Sequence, residues 1–530
     1  MSKKTSKKEK ELMPSVVTIE QKIREQVDAI IDFCTDEQGT ENFFTLEQKL
    51  RVQIFQLGCL FLQLLLISLQ EKFDYSTLLQ GGLYYLGENV PRTIKTIYGE
   101  VRYWRNYVTI KDHKGCGFYP LDRTIGLTKD GFSPLVMNLA VKLATRVSFS
   151  VSALLFTCFY GWSPSTEATE ALVLGMGRDA DAFMEQTGVP EADGEILVIE
   201  VDGKATPTAK EDELKKRRGK RKKKRSCCQR HRNKHKRQRR CKNRRQKGDT
   251  RKNGRSITLV VMYTLKKGKD GKLHGPLNKK VWGSYAPRKV MLDWARRQAA
   301  KRGFPSDTDK RIHCVIDGEK CLYDGLSQLF PNATFALDIR HVEEKIWKVG
   351  RLFHEKGSKE LAQWVEEKTE LLYSGQASVL LDDVKTRKNT LSARAKRDTR
   401  KRDAVEKLIN YIEPRLTMMH YKKLIEEDVV IASGIVEGAA RYVVGERMDC
   451  SGMRWIPERA EALLRLRCIE LNGDWDHFFE WGYKGWMEKM NQGERIIIRQ
   501  EKPDELPDIT SFNTSAIADN QEVGELADAA

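Results

Sequence analysis

Gly194-Glu195-Ile196-Leu197-Val198-Ile199-Glu200-Val201-Asp202-Gly203 decides how the rest of this chain is read. Five of the six residues from Ile196 to Val201 are aliphatic, and four of those are β-branched. Such a run reads as a buried central strand that delivers Asp202 at its C-terminal tip. A strand ending on Asp-Gly is ordinary turn chemistry when taken alone. It gains weight from two other stretches, around Asp317 and Glu437, that can bring carboxylates to the same point.

Downstream, Ser256 to Leu265 reads as a second strand, Lys266 to Gly271 as a turn, and Lys280 to Tyr285 as a third strand. Val290 to Arg302 is an amphipathic helix. Ile312 to Ile316 is a fourth strand ending on Asp317-Gly318, Leu322 to Phe330 a helix, and Ala333 to Leu337 a fifth strand with Asp338 at its end. The order β-β-β-α-β-α-β is that of an RNase H-like α/β core, an antiparallel meander followed by parallel crossovers in one mixed five-stranded sheet. The fourth strand then lies parallel beside the first, and Asp202 and Asp317 emerge at one edge. Carboxylates that close repel unless a cation sits between them. Hard oxygen ligands suit Mg²⁺, with Mn²⁺ able to substitute, and two such ions can flank a phosphodiester. Asp338 also ends a strand, but one strand further away, roughly 4.8 Å; Asp317 is therefore preferred as second ligand. From His341 to about Glu427 the chain reads as helix and charged linker, an all-α insertion placed at 341–430. The helix Ser433 to Arg447 follows and supplies Glu437 as third ligand. The bland alternative is that Glu437 favours the helix macrodipole.

Upstream, residues 1–14 form a polar, Lys-rich arm and 15–90 a helical region. The segment Glu47 to Glu71 is apolar on most sides and is expected to be buried between other helices. Its longest apolar run, Leu57 to Leu69, is interrupted by Gln63 and is too short for a bilayer, so no membrane partner is expected. Thr93 to Ile110 alternates as a hairpin around Tyr98-Gly99-Glu100, within a small β region at 91–127. In 128–190, Ser148 to Phe159 and a helix opened by Ser165 flank the turn Gly161 to Ser165. This is a helix-turn-helix pattern, shared by DNA readers and ordinary all-α pairs. The core is expected at 191–340 and 431–497, with an acidic, disordered tail at 498–530.

The net charge of +19 has one source. Lys215 to Arg255 holds 24 Lys/Arg against one acid, Asp249, and the rest carries 69 basic and 73 acidic residues. A polyanion such as DNA is the natural partner for this basic insertion, placed at 208–255. Its expected phosphate contacts are Lys215, Lys216, Arg217, Arg218, Lys220, Arg221, Lys222, Lys223, Lys224, Arg225, Arg237, Arg239, Arg240, Arg244 and Arg245. Cys227, Cys228, His231, His235 and Cys241 lie inside the run, but their spacing fits no zinc module and zinc is not expected. Eleven scattered cysteines, and a start without an apolar signal segment, point to a reducing cytoplasm.

Several blocks resemble, in order, the Kra-type family of bacterial insertion-sequence transposases. They are Val201-Asp202-Gly203, Gly283-Ser284-Tyr285, Ile316-Asp317-Gly318, Asp338-Ile339-Arg340-His341-Val342-Glu343-Glu344 and Ser433-Gly434-Ile435-Val436-Glu437-Gly438-Ala439-Ala440. Val444 to Met448, Ser451 to Trp455 and Leu466-Arg467 continue the likeness, which runs from about Thr96 to Trp475. The basic run departs from that family's shorter, less charged connection. The resemblance implies an RNase H-like fold with an all-helical insertion, and Asp202, Asp317 and Glu437 as DDE metal ligands. It also implies Asp338 and His341 as an auxiliary pair, His341 either meeting the scissile phosphate or bracing its loop. Trp455 could stack on a flipped base or pack internally. The implied protein is a nucleoid-associated bacterial transposase that cuts terminal inverted repeats and joins them to target DNA. It would use two Mg²⁺ ions and act as a homodimer or larger assembly on DNA. The rivals are a non-catalytic, domesticated nucleic-acid-binding protein and an RNase H-like nuclease.

Overall fold

The structure, a computed structural model, describes residues 12–36, 41–80, 83–110, 117–187, 189–209, 254–392, 395–450 and 453–499. The residues from Lys215 to Arg245 expected to contact phosphate, the Cys/His set from Cys227 to Cys241, Ser451-Gly452, most of the amino-terminal arm and nearly all of the acidic tail lie outside them. The described residues form two compact units, one running to Asp179 and resuming at Asp474, the other spanning Ala180 to Gly473.

The first unit opens with the helices Val16–Thr35 and Phe43–Lys72, capped by Ser15 and Asn42, and the short helix Ser76–Gln80. Strands β1 (Leu83–Thr96) and β2 (Gly99–Ile110) then pair antiparallel, Thr96 opposite Gly99. Gly99 sits at φ 135°, a conformation that side chains resist. The hairpin therefore starts inside the region read as helical, because Tyr84 and Tyr85 open a strand. The apolar helix Phe43–Lys72 corrects a second expectation. Only Ile67 and Gln70 are buried on it, while Phe43, Phe44, Phe61 and Leu65 are more than half exposed. One neighbouring helix and one hairpin cover a stripe, not a circumference. At 30 residues, with an 18-residue window of mean hydropathy 2.0, it also meets the length and composition of a membrane span, a test that apolar core helices pass as well.

Further on, Ser148 caps the helix Phe149–Tyr160, Gly161 ends it at φ 77°, and Ser165 caps Thr166–Gly177. The two expected helices and the turn between them are thus present. The second helix is buried at Thr169 and from Ala171 through Gly177, leaving chiefly its first turn exposed. The helix Trp475–Asn491, placed with the core from sequence, belongs to this first unit. Trp475 Nε1 donates to Asn138 Oδ1 at 2.6 Å, and Tyr483 OH donates to the Ile125 carbonyl at 3.1 Å.

The second unit is built on a mixed five-stranded sheet in the order β5-β4-β3-β6-β7. Strands β3 (Ile196–Pro207), β4 (Gly254–Lys267) and β5 (Leu273–Ser284) form an antiparallel meander. Strands β6 (Ile312–Ile316) and β7 (Thr334–Leu337) add to β3 in parallel. The helices Arg288–Lys301 and Lys320–Leu329 make the crossovers. All of Ile196–Val201 and Ile312–Ile316 is buried, as aliphatic strands covered on both faces require. Helices Ile339–Phe353, Lys359–Tyr373, Ala377–Asn389 and Lys396–Ile412 follow β7 before the chain returns at Gly434.

Candidate active site

The last β3–β6 pair is Val201 with Ile316, and the last β6–β7 pair is Ile316 with Leu337. Asp202, Asp317 and Asp338 are the next residue on each of three neighbouring strands, spaced by roughly 4.8 Å per strand. One correction belongs here. Asp202 is not at the tip of β3, which runs on to Pro207 against β4. It stands where β6 ends, so only one side of β3 remains paired beyond it. A loop was expected because Asp-Gly is good turn chemistry; continued pairing with β4 overrides that preference.

Asp202 Oδ1 accepts the Gly203 N–H at 2.6 Å, and Asp317 Oδ1 accepts the Glu319 N–H at 2.8 Å. Among the described residues neither side chain accepts any other hydrogen bond. Burial, and then the charge of Asp317, push the Asp202 carboxyl above the ordinary carboxylate range, against the lowering effects of the Gly203 N–H, His341 and Lys204. Glu437 is raised too, by burial first and then by Asp338 and Asp202. Asp317 acting on Asp202, and Asp338 and Asp202 acting on Glu437, thus disfavour ionisation as neighbouring carboxylates do.

Asp338 differs. It is fully buried and caps the helix Ile339–Phe353. Its Oδ1 accepts the Arg340 N–H at 2.9 Å, and its Oδ2 accepts His341 Nδ1–H at 2.7 Å together with the Ser433 hydroxyl. Burial works to raise this carboxyl, but those three bonds outweigh it and hold it low. The Asp338 bond in turn raises His341, with Glu437 and Asp317 adding to the effect. Ligand atoms of Asp338, His341 and Glu437 lie within 4.8 Å of one another, and His341 Nδ1 is 3.7 Å from Glu437 Oε1. The tightest grouping is thus Asp338–His341–Glu437, whereas Asp202 and Asp317 reach it through charge.

Glu437 owes its place to a residue that the sequence reading passed over. Glu200, the single charged residue among the strand's aliphatics, is fully buried. It accepts Tyr263 OH at 2.7 Å on Oε1 and the Val436 backbone N–H at 2.8 Å on Oε2. It therefore ties the turn before Glu437 to the strand carrying Asp202. A charge at a position that must be buried was the available signal. Burial, despite these two bonds, pushes its carboxyl up to about 7.

The expected helix from Ser433 to Arg447 is helical from Gly434 to Met448, with a π-turn at Ala440–Gly445 between the α-helical Gly434–Ala439 and Glu446–Met448. Buried Arg467 donates through Nε to the Tyr442 and Val443 carbonyls at 3.1 and 2.9 Å, groups that a widened turn leaves available. Glu461 likewise accepts Ser284 OH at 2.5 Å, the Tyr285 N–H at 2.8 Å and Arg465 Nε at 2.8 Å. Arg465 pairs with buried Asp181 at 2.7 Å. Gly283-Ser284-Tyr285 and Leu466-Arg467 thus brace the frame. Trp455 is half-buried, donates Nε1–H to the Met448 carbonyl at 2.8 Å, and has the Arg447 guanidinium 5.1 Å from its ring. The helical segment also reaches the site: Tyr411 OH donates to the Asp317 carbonyl at 2.7 Å, and Arg415 Nε to the Gly318 carbonyl at 2.7 Å. Neither had been singled out.

No protein-family model matches the sequence, and no curated protein matches it. Among solved structures the chain is similar to a Drosophila P element transposase strand transfer complex. The identity is 10% and the TM-score 0.23, over 75% of this chain and 88% of that one. A likeness that loose carries no argument about the site.

Proposed function

We propose that this chain is a DDE-type DNA transposase of the Kra-type insertion-sequence kind, with an RNase H-like core. The observation that supports it most is geometric. Asp202, Asp317 and Asp338 each follow the last parallel-paired residue on one of three neighbouring strands, and Glu437, 235 positions beyond Asp202, has its carboxylate within 4.8 Å of ligand atoms of Asp338 and His341. Asp202, Asp317 and Glu437 offer oxygen donors only, and the first two each keep one oxygen outside any hydrogen bond among the described residues. That donor set fits Mg²⁺ or Mn²⁺. The Asp338 oxygens are already engaged, which favours Asp317 over Asp338 as the strand-end ligand.

Bound there, divalent ions would polarise the phosphodiester and lower the pKa of the attacking water or hydroxyl. Asp202, Asp317 and Glu437 are the residues that would hold that charge. Asp338 keeps His341 oriented through Nδ1 and favours its protonated form. The reaction at this site is hydrolysis at the element end, followed by attack of the freed 3′-hydroxyl on target DNA. Each step forms one phosphorus–oxygen bond and breaks another. The basic segment holds the DNA backbone, and pairing two ends calls for a dimer or larger assembly.

Supplying DNA that carries the flanking inverted repeats, with Mg²⁺ and a target plasmid, should yield joined strand-transfer products. Asp202→Asn should bind the same DNA and give none. Cleavage without joining would indicate a nuclease instead, and binding without either reaction a domesticated binder.

A further inference from the structure

The first unit holds a cavity of about 380 Å³ that has no part in the carboxylate site. Its walls are Arg92 of β1, the end of β2, residues within 117–129, and residues within 490–496. Phe118 pairs back onto β2 through two backbone bonds with Val108, at 3.0 and 2.9 Å. Gly117 leaves room for the Tyr107 ring, which a Cβ there would meet at 2.4 Å and displace. Lys129 N–H donates to the Ile496 carbonyl at 3.1 Å, closing the other side.

The lining is cationic and aromatic at once. Five Lys or Arg side chains face two carboxylates, Asp122 and Glu494. Asp122 is fully engaged by Arg92 at 2.9 Å, by Arg105 and by Tyr103 OH at 2.5 Å. Arg105 lies 3.4 Å over the Tyr119 ring and Arg123 3.5 Å over the Phe118 ring, while Tyr107 and Tyr119 meet at 4.8 Å. Arg105 Nε is buried without a hydrogen-bond partner among the described residues, a donor that calls for an acceptor. Burial alone pulls Arg123 below its ordinary value, and burial is the largest cause that brings Arg105 down to about 10. Guanidinium planes stacked on rings are surfaces on which a nucleobase stacks, and Arg and Lys beside them receive phosphate. The volume sits at the lower end of the roughly 300–1,000 Å³ of small-molecule pockets.

We propose that this cavity binds a nucleoside 5′-phosphate, its base against the Arg-covered rings and its phosphate on Arg123 and Lys129. The ligand is a free nucleotide or an unpaired nucleotide at a DNA end. The test uses the full chain, with dAMP and a 5′-phosphorylated oligodeoxyadenylate as probes and binding read by calorimetry or anisotropy. Deoxyadenosine and deoxyribose 5-phosphate, each lacking one half of the ligand, should compete about tenfold less well. Arg123→Ala and the exposed Lys129→Ala should each weaken binding about tenfold, while Asp202→Asn leaves it unchanged. Variant-sensitive dAMP binding supports a free-nucleotide site; sensitivity confined to the oligonucleotide supports a DNA-end site. The inference is overturned if neither probe responds to either variant, or if deoxyribose 5-phosphate binds as tightly as dAMP. Should Arg123→Ala fail to fold, Lys129→Ala decides.

Discussion

Asp202 holds a carboxyl where burial and the charge of Asp317 both oppose ionisation. Its folded value lies above its unfolded one, so it costs stability as pH rises past the ordinary carboxylate range. Asp202→Asn removes that cost. Without divalent ions its melting temperature should equal or exceed the native one, while Mg²⁺ should raise the native value and barely move the variant. An ion at 100 times its dissociation constant contributes about 2.7 kcal/mol; equal Mg²⁺ responses would remove Asp202 as a ligand. Glu200 gives a second test, of placement rather than chemistry. Gln at 200 can accept from Val436 N–H and donate to Tyr263 O, so Glu200→Gln should fold and retain joining activity. Glu200→Leu leaves both groups buried and unpaired, costing about 1–3 kcal/mol each, and should lose activity by displacing Glu437. Activity in the Leu variant would show that Glu200 does not set Glu437. The positions of Asp202 and Asp317 just past paired strand residues, and of Glu437 on a helix, were legible because each sits beside a strong local pattern. Glu200 was hidden inside such a pattern, and its partners Tyr263 and Val436 are 63 and 236 positions away.

At the scale of elements, β6 positions Asp317, and His313 pins that strand. Its Nε2–H donates to the Val430 carbonyl at 2.7 Å, and Nδ1 accepts the Thr334 hydroxyl at 2.8 Å. Burial is the main cause that brings this imidazole down to about 4. The unfolded chain binds the proton first, so stability is fully present above about pH 6.5 and is lost as pH falls toward 4, by roughly 3 kcal/mol. His313→Gln keeps a donor without titrating. Denaturant midpoints of the variant should fall less over that window; a parallel fall in both proteins would assign the loss to other groups. The π-turn makes a companion case. Arg467→Met strips the donor from the Tyr442 and Val443 carbonyls and should destabilise the second unit by about 1–3 kcal/mol for each carbonyl left unpaired, readable as a lowered unfolding midpoint. The five strands were legible from β-branched runs and turn residues, because sheet pairing reinforces those local preferences. The π-turn from Ala440 was not, since it is bound by Arg467 arriving from another helix. Nor was the exposure of Phe43–Lys72, because apolar composition does not say how many neighbours a helix will find.

For the whole molecule, the division into two units was only partly legible: helix Trp475–Asn491 follows the second unit in sequence yet packs in the first. The source of the positive charge was plain, since composition alone locates it. Strands β3 and β4 pair without a slip from Ile196–Leu265 to Pro207–Gly254, so the basic connection leaves and re-enters the sheet at one point. Ends already adjacent can be joined by a short loop at little entropic cost. Replacing residues 211–252 with a short Gly-rich linker should therefore preserve the sheet and its melting temperature. Binding should respond very differently. If the segment neutralises six to ten phosphates, native affinity falls about 10³–10⁵-fold between 50 and 200 mM salt. The excised protein should bind weakly at 50 mM and show a much shallower salt slope. An unchanged slope would move the phosphate contacts onto the folded units, leaving the basic run without the role its charge suggests. Residual joining activity at low salt in the excised protein would show that the carboxylate site works on whatever DNA reaches it, and that the basic segment governs encounter rather than chemistry.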